Sequence, residues 1–143
     1  MSLGYPSPDD EGRVLRLQPA RTSLRDLTPV TSEAEVVALQ DRVDEVKLDD
    51  SLVDYIIAIA TASRDADDLQ VGISPRGALA LAQAARATAL MAGRTHCEPE
   101  DVVGNVLAVC AHRVVTRAPM HTGDTLTARR IVQRVLESVP SPA

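Results

Sequence analysis

Aromatic side chains are almost missing from this 143-residue chain: it has two tyrosines, Tyr5 and Tyr55, and neither phenylalanine nor tryptophan. A core must therefore be assembled from Ala, Val, Leu and Ile, whose small side chains suit helices packed close together. Lysine is nearly absent too, Lys47 being its one instance among fifteen basic residues. No Gly-x-x-x-x-Gly-Lys-Ser/Thr loop surrounds it, and no apolar strand ends in paired acids. A nucleotide triphosphatase needs both devices to hold phosphates and metal, so this chain alone is not expected to hydrolyse ATP. No apolar run is long enough to cross a bilayer and no secretory leader is recognisable, so no membrane partner and a cytoplasmic location are expected. The two cysteines, Cys97 and Cys110, give no disulfide framework.

Charge is plentiful but unevenly spread. Residues 31–69 hold eleven acids against three basic residues, a local net of −8, whereas residues 111–143 hold five arginines against two acids, a local net of +3. Such asymmetry marks either solvated helix faces or a charged contact surface. The basic tail has no interleaved aromatics and no nucleic-acid motif, so no nucleic-acid partner is expected.

Helical signals follow one another along the chain. Ser7-Pro8-Asp9-Asp10 is a capped start with acids in the first turn, and Val14, Leu15 and Leu17 give that helix a short apolar side before Gln18-Pro19. Leu24, Leu27 and Val30 are candidate anchors of the connection that follows. Ser32 opens a second helix with Glu35 placed to complete a capping box, and Val36, Leu39, Val43 and Val46 mark one face. A third helix begins at Asp49 or Asp50, with Leu52, Val53, Ile56, Ile57 and Ala60 as its buried stripe and Tyr55 as packing. A fourth runs from about Pro75 to Ala92, carries Leu79, Ala82, Ala85, Ala89 and Leu90, and stops at Gly93. Pro99 starts a fifth, lined by Val102, Val103, Val106, Leu107 and Cys110. A last one spans roughly 125–138 with Ile131, Val132, Val135 and Leu136 inward. No strand-length alternation competes. The fold class is all-α, a bundle of about six helices.

The most informative stretch is Gly72-Ile73-Ser74-Pro75-Arg76. Ser74 can accept from a free first-turn N–H, and Pro75 suits the first helical position. Arg76 then stands in the first turn, where the helix already favours anions and a guanidinium adds a forked, permanently charged donor. An ordinary cap carrying a solvated arginine is the plainer alternative.

Gly72–Leu81 leads into Ala85-Arg86-Ala87-Thr88-Ala89-Leu90-Met91-Ala92-Gly93-Arg94, then Glu98-Pro99-Glu100-Asp101-Val102 and Ala111-His112-Arg113-Val114-Val115. Together these resemble the C-terminal lid domain of MoxR-family AAA+ ATPases. Gly4-Tyr5-Pro6 looks like that family's link between core and lid, and Val53-Asp54-Tyr55-Ile56 with Thr61-Ala62-Ser63-Arg64 looks like its middle helix. The resemblance implies that residues 1–6 are the link from an absent AAA+ core and residues 7–143 the lid. It implies that Arg76 is the sensor 2 arginine pointing at the γ-phosphate, with Gly4, Tyr5 and Pro6 forming the hinge and Tyr5 near the base. ATP and Mg would be bound by the full-length protein and not by this piece. Implied partners are the core in cis, neighbouring subunits of a ring homo-oligomer and a von Willebrand A domain protein, in a chaperone-like role in protein assembly or metal-cofactor insertion. A magnesium-chelatase-like ATPase is a close variant. Ile73 departs from the small alanine frequent in the family. The competing class is a stand-alone helical adaptor with no nucleotide role.

His96, Cys97, Cys110 and His112 carry ligating atoms, but their spacing matches no zinc motif, and no metal or Cys–His nucleophile is expected. Arg113 is either a charge at a helix C-terminus or a contact to the core or a neighbour.

Overall fold

Short polar side chains start the helices where the sequence places them. A computed structural model describes residues 5–17, 27–117 and 125–142. Among these it has six helices and one two-stranded sheet: α1 (Pro8–Leu17), α2 (Glu33–Glu45), α3 (Asp50–Asp65), β1 (Leu69–Val71), α4 (Pro75–Met91), α5 (Pro99–Cys110), β2 (Val115–Thr116) and α6 (Thr125–Ser138). The chain divides into two units, Met1–Val37 and Ala38–Ala143. No helix among the described residues is long and apolar enough to cross a membrane.

In the first unit, Ser7 Oγ accepts from the Asp10 N–H at 3.2 Å and opens α1. Val14 and Leu15 are exposed, and so are Leu27 and Val30, so these four do not form the apolar side and anchors expected of them. The Leu17 side chain, Gln18, Pro19 and Leu24 lie outside the described residues. The capping box of α2 is present: the Ser32 N–H donates to Glu35 Oε2 at 2.7 Å, and the Glu35 N–H donates to Ser32 Oγ at 3.2 Å.

Across the unit boundary, α2 buries none of its residues. Of the face expected at Val36, Leu39 and Val43, the first two are exposed and Val43 is half-buried, and Val46, just past the helix, enters the core.

The second unit's core is built by α3 to α6. Asp49 Oδ1 accepts from the Ser51 N–H at 3.0 Å and caps α3, which buries Leu52, Tyr55, Ile56, Ile59, Ala60 and Ser63. The α4 face is Gly77, Leu81, Ala85 and Ala89, one turn apart, and its glycine and alanines let α5 lie close along it. From α5 come Val102, Val106 and Cys110, and from α6 Ala128, Ile131, Val132, Val135 and Leu136. Val53, Ile57, Leu79 and Val103, expected inside, are exposed. Val53 and Val103 stand beside the arc that faces the core, whereas Ile57 and Leu79 lie on the side turned away from it, Leu79 being about 200° around α4 from Leu81.

Gly93 ends α4 at φ +76°, a conformation glycine adopts without strain. Its N–H donates to the Leu90 carbonyl and that of Arg94 to the Ala89 carbonyl, each at 2.9 Å, closing the turn. The return into α5 is held by an acid the sequence did not mark as interior. Asp101 is 3% exposed. It receives both guanidinium nitrogens of Arg94 at 2.7 Å and the Glu98 N–H at 2.8 Å. These bonds, the Arg94 pair foremost, hold its carboxyl below the usual carboxylate range.

The all-α expectation holds with one short addition, β1 and β2, which pair antiparallel with Leu69 opposite Thr116 and Val71 opposite Val115. Segments of three and two residues are too short for an alternating pattern to register.

Candidate functional site

The start of α4 is fixed from below by α3. Gly72 crosses the end of that helix so closely that a Cβ there would lie 2.6 Å from the Arg64 backbone nitrogen. At the next residue, the Ile73 N–H donates to Ser63 Oγ at 2.8 Å, and the Ser63 hydroxyl donates in turn to the Ala60 carbonyl at 2.7 Å. Arg64 Nε donates to the Ile73 carbonyl at 2.9 Å. Both backbone groups of Ile73 are thus satisfied by adjacent residues of α3, and its side chain is buried. Exchanging Ser63 for alanine leaves the Ile73 N–H without its partner inside the core, and about 1–2 kcal/mol of stability should be lost in urea denaturation. Wild-type stability in that variant would mean the clamp carries no weight.

From this anchored residue the chain turns into α4 as its sequence predicts. Ser74 has extended backbone angles, φ −74° and ψ 163°, and its Oγ accepts from the Gly77 N–H at 3.2 Å. Pro75 takes the first position, and Arg76 follows it, exposed. Its guanidinium makes no ion pair or hydrogen bond among the described residues.

Two further arginines approach the same helix start. Arg64 reaches it through the Ile73 carbonyl. The Arg113 stem passes Gly77, with Cδ 3.6 Å from where a Cβ would stand on that glycine. Arg113 Nη1 donates to the Val109 carbonyl in the last turn of α5 and lies 2.7 Å from His112 Nε2. Of its two readings, the charge at a helix C-terminus is the one the contacts display, now placed beside α4. Sequence reasoning singled out Arg76 but missed the clamp of Ser63, Arg64 and Gly72, whose only local signal was the glycine before Ile73.

The remaining expected site residues stand apart in kind. Tyr5 and Pro6 are exposed members of the first unit, whereas Arg76 belongs to the second, and Gly4 lies outside the described residues. No three His, Cys, Asp or Glu side chains converge on a common point among the described residues. Both thiols are buried. Burial pushes the Cys97 thiol up, and it pushes Cys110 up to about 11 against a weaker opposing pull from Arg113. Neither is a thiolate at neutral pH.

Three comparisons bear on this arrangement. The family model for the AAA lid domain matches residues 61–135, which run from the C-terminal part of α3 through the Arg76 helix into α6. The Bacillus subtilis (strain 168) protein "Uncharacterized protein YeaC" is 33% identical over 142 residues, 99% of this chain and 44% of that protein. "Chaperone MoxR1" of Mycobacterium tuberculosis is 28% identical over 152 residues, 99% of this chain and 39% of that protein. A crystal structure of a candidate ATPase from Cytophaga hutchinsonii superposes with a TM-score of 0.72 at 22% identity, covering 99% of this chain and 45% of that one. The last likeness shows a shared fold. This chain spans less than half the length of each of these proteins.

Proposed function

Because this chain belongs to the AAA lid domain family, we propose that it is the C-terminal lid of a MoxR-type AAA+ ATPase and that Arg76 is its sensor 2 arginine. The observation that carries the reading is an arginine presented at the capped, solvent-facing start of a seventeen-residue helix, with no carboxylate answering it among the described residues. A terminal phosphate fits that position in charge and in donor geometry. ATP and its magnesium would be held by the AAA+ core, with Arg76 approaching the γ-phosphate as the lid closes. The anchored backbone at Gly72 and Ile73 fixes the root of α4, so the arginine moves with the bundle and not with a loop. Lid position then depends on whether the γ-phosphate is present.

In this reading residues 1–6 link core and lid, residues 7–143 are the lid, and Gly4, Tyr5 and Pro6 supply the hinge. The whole protein would bind and hydrolyse ATP in the cytoplasm as a ring homo-oligomer. Its role would be chaperone-like, in protein assembly or metal-cofactor insertion, with a von Willebrand A domain protein as a partner. The MoxR1 likeness supports this over a magnesium-chelatase-like role.

The test restores the chain to its AAA+ core and replaces Arg76. Arg76→Ala should leave the lid folded, because an exposed side chain contributes little packing. ATP hydrolysis should slow by about tenfold, near the low end for a charge-assisted contact, because the site is open to solvent. Arg76→Lys should recover part of the rate, keeping the charge and losing the fork. Wild-type ATP affinity and turnover in the alanine variant would remove Arg76 from the mechanism and favour an adaptor.

A further inference from the structure

A groove of about 780 Å³ runs along α6, bounded by α5, by Arg117 and by the turn before β1. Leu107, Leu126 and Ile131 supply its apolar surface. Ile131 is buried, Leu107 is half-buried and Leu126 is 65% exposed. Around them stand four arginines and two aspartates, a net charge of +2.

These charges are not equally committed. Arg134 Nη2 donates to Asp68 Oδ2 at 2.7 Å, joining α6 to the turn. Arg117 Nε donates to the Leu69 carbonyl at 3.1 Å. Arg129 and Arg130 are exposed and make no ion pair or hydrogen bond among the described residues. With Leu126 they stand at positions i, i+3 and i+4 of α6, so one apolar and two cationic side chains share a face.

Shape and charge together describe an occupant. Sites for small molecules bury most of the ligand in a concavity. This groove leaves Leu126 and both unpaired guanidinium groups open to solvent, which suits a chain that continues past its two ends. The apolar surface asks for aliphatic side chains on one face, and the uncompensated arginines ask for carboxylates beside them. A nucleic-acid strand would meet the arginines and leave the leucines uncovered, and no aromatic side chain lines the groove, among the described residues, on which a base could stack.

We propose that the α6 groove is the docking site for an acidic amphipathic helix of a separate partner protein. Its aliphatic stripe would lie on Leu107, Leu126 and Ile131, and its flanking carboxylates would meet Arg129 and Arg130. This is helix-in-groove recognition, read out by apolar anchors one turn apart. Opposite charge at the rim sets orientation and speeds encounter, and the apolar contact slows release. The docking needs no nucleotide and does not draw on Arg76.

Fluorescence anisotropy with a labelled peptide of about fourteen residues, the length of α6, tests the proposal. The probe carries leucines at i, i+3, i+4 and i+7 and glutamates flanking them. It should bind the 143-residue chain with a dissociation constant on the order of 10–100 μM. Binding should weaken between about 0.1 M and 1 M salt, where the screening length shortens from roughly 10 Å to 3 Å. Leu126→Asp should weaken it by about tenfold or more. Arg129→Glu with Arg130→Glu replaces two positive charges by two negative ones and turns the groove from +2 to −2. That variant should lose the glutamate peptide and take one in which lysines replace the glutamates, an exchange that misfolding cannot produce. Leu79→Asp, at an exposed leucine outside the groove, should bind like wild type. Four results would each overturn the proposal: no binding to the wild-type chain, equal binding of a peptide whose leucines are scattered around the helix, unchanged binding by Leu126→Asp, or displacement by a single-stranded oligonucleotide as effective as by unlabelled peptide. Sedimentation supplies a fifth, because self-association of the wild-type chain that Leu126→Asp abolishes would give the groove to a second copy.

Discussion

Gly72→Ala is expected to lower stability by about 3 kcal/mol, at the upper end for an inserted methyl group. The new Cβ would stand 2.6 Å from the Arg64 nitrogen, 2.7 Å from its Cα and 2.7 Å from the Ser63 carbonyl carbon. All three are backbone atoms, so no side chain can rotate to make room. Relief requires the crossing strand to lift from α3, and lifting it stretches the Ile73 hydrogen bonds to Ser63 and Arg64. The urea midpoint should fall with an unchanged slope, and Tm should drop on the order of 10 °C. Gly104 is the internal control: it lies inside α5 with nothing within 4 Å of its Cβ position, so alanine there should stabilise by up to about 1 kcal/mol. A Gly72→Ala protein with the wild-type midpoint would show that the crossing relaxes freely. The Arg76 helix would then have no fixed root.

Asp101→Asn should cost about 2 kcal/mol at neutral pH, because it removes the bidentate partner of the Arg94 guanidinium and leaves it only the more exposed Glu98 carboxylate at 3.5 Å. The expected loss is below that for a fully buried pair because the Arg94 side chain keeps 24% exposure. The pH dependence has a definite sign. Hydrogen bonding to Arg94 depresses the folded carboxyl, so its contribution is fully present above the unfolded value near 3.9. It is lost as pH falls through the lower folded value. Wild-type protein should therefore lose this part of its stability below about pH 4, and the asparagine variant should show a flatter profile there. Equal stability of the two proteins at pH 7 would mean the pair is neutral in the fold.

Local chemistry was readable and tertiary choice was not. Ser7, Ser32, Asp49 and Ser74 cap their helices because a short oxygen-bearing side chain reaches a nearby N–H within one turn, an event decided inside a few residues. Gly93 ended α4 for the same kind of reason. Which arc of each helix meets a neighbour is decided elsewhere in the chain. Leu79 and Leu81 differ by two positions, and nothing local says that Leu81 is the one inside. The face of α2 was periodic yet buries none of its residues. At the candidate site, Arg76 was legible from its cap and proline. Arg113 came beside it through the pairing of α4 with α5, which no spacing in the sequence announces.

The small sheet has a mechanical meaning. β1 leads into α4 and β2 leaves α5, so their pairing straps together the open end of a two-helix lever whose other end is sealed by the Gly93 turn. Arg117 adds rivets across that strap, its N–H donating to the Asp68 carbonyl at 2.9 Å and its Nε to the Leu69 carbonyl at 3.1 Å. A pull applied at the start of α4 is then shared with the end of α5 and passed along β2 toward α6. Pairing of this kind opposes the two helices hinging apart, and the contact of β2 with α6 gives a displacement at one tip a route to the last helix.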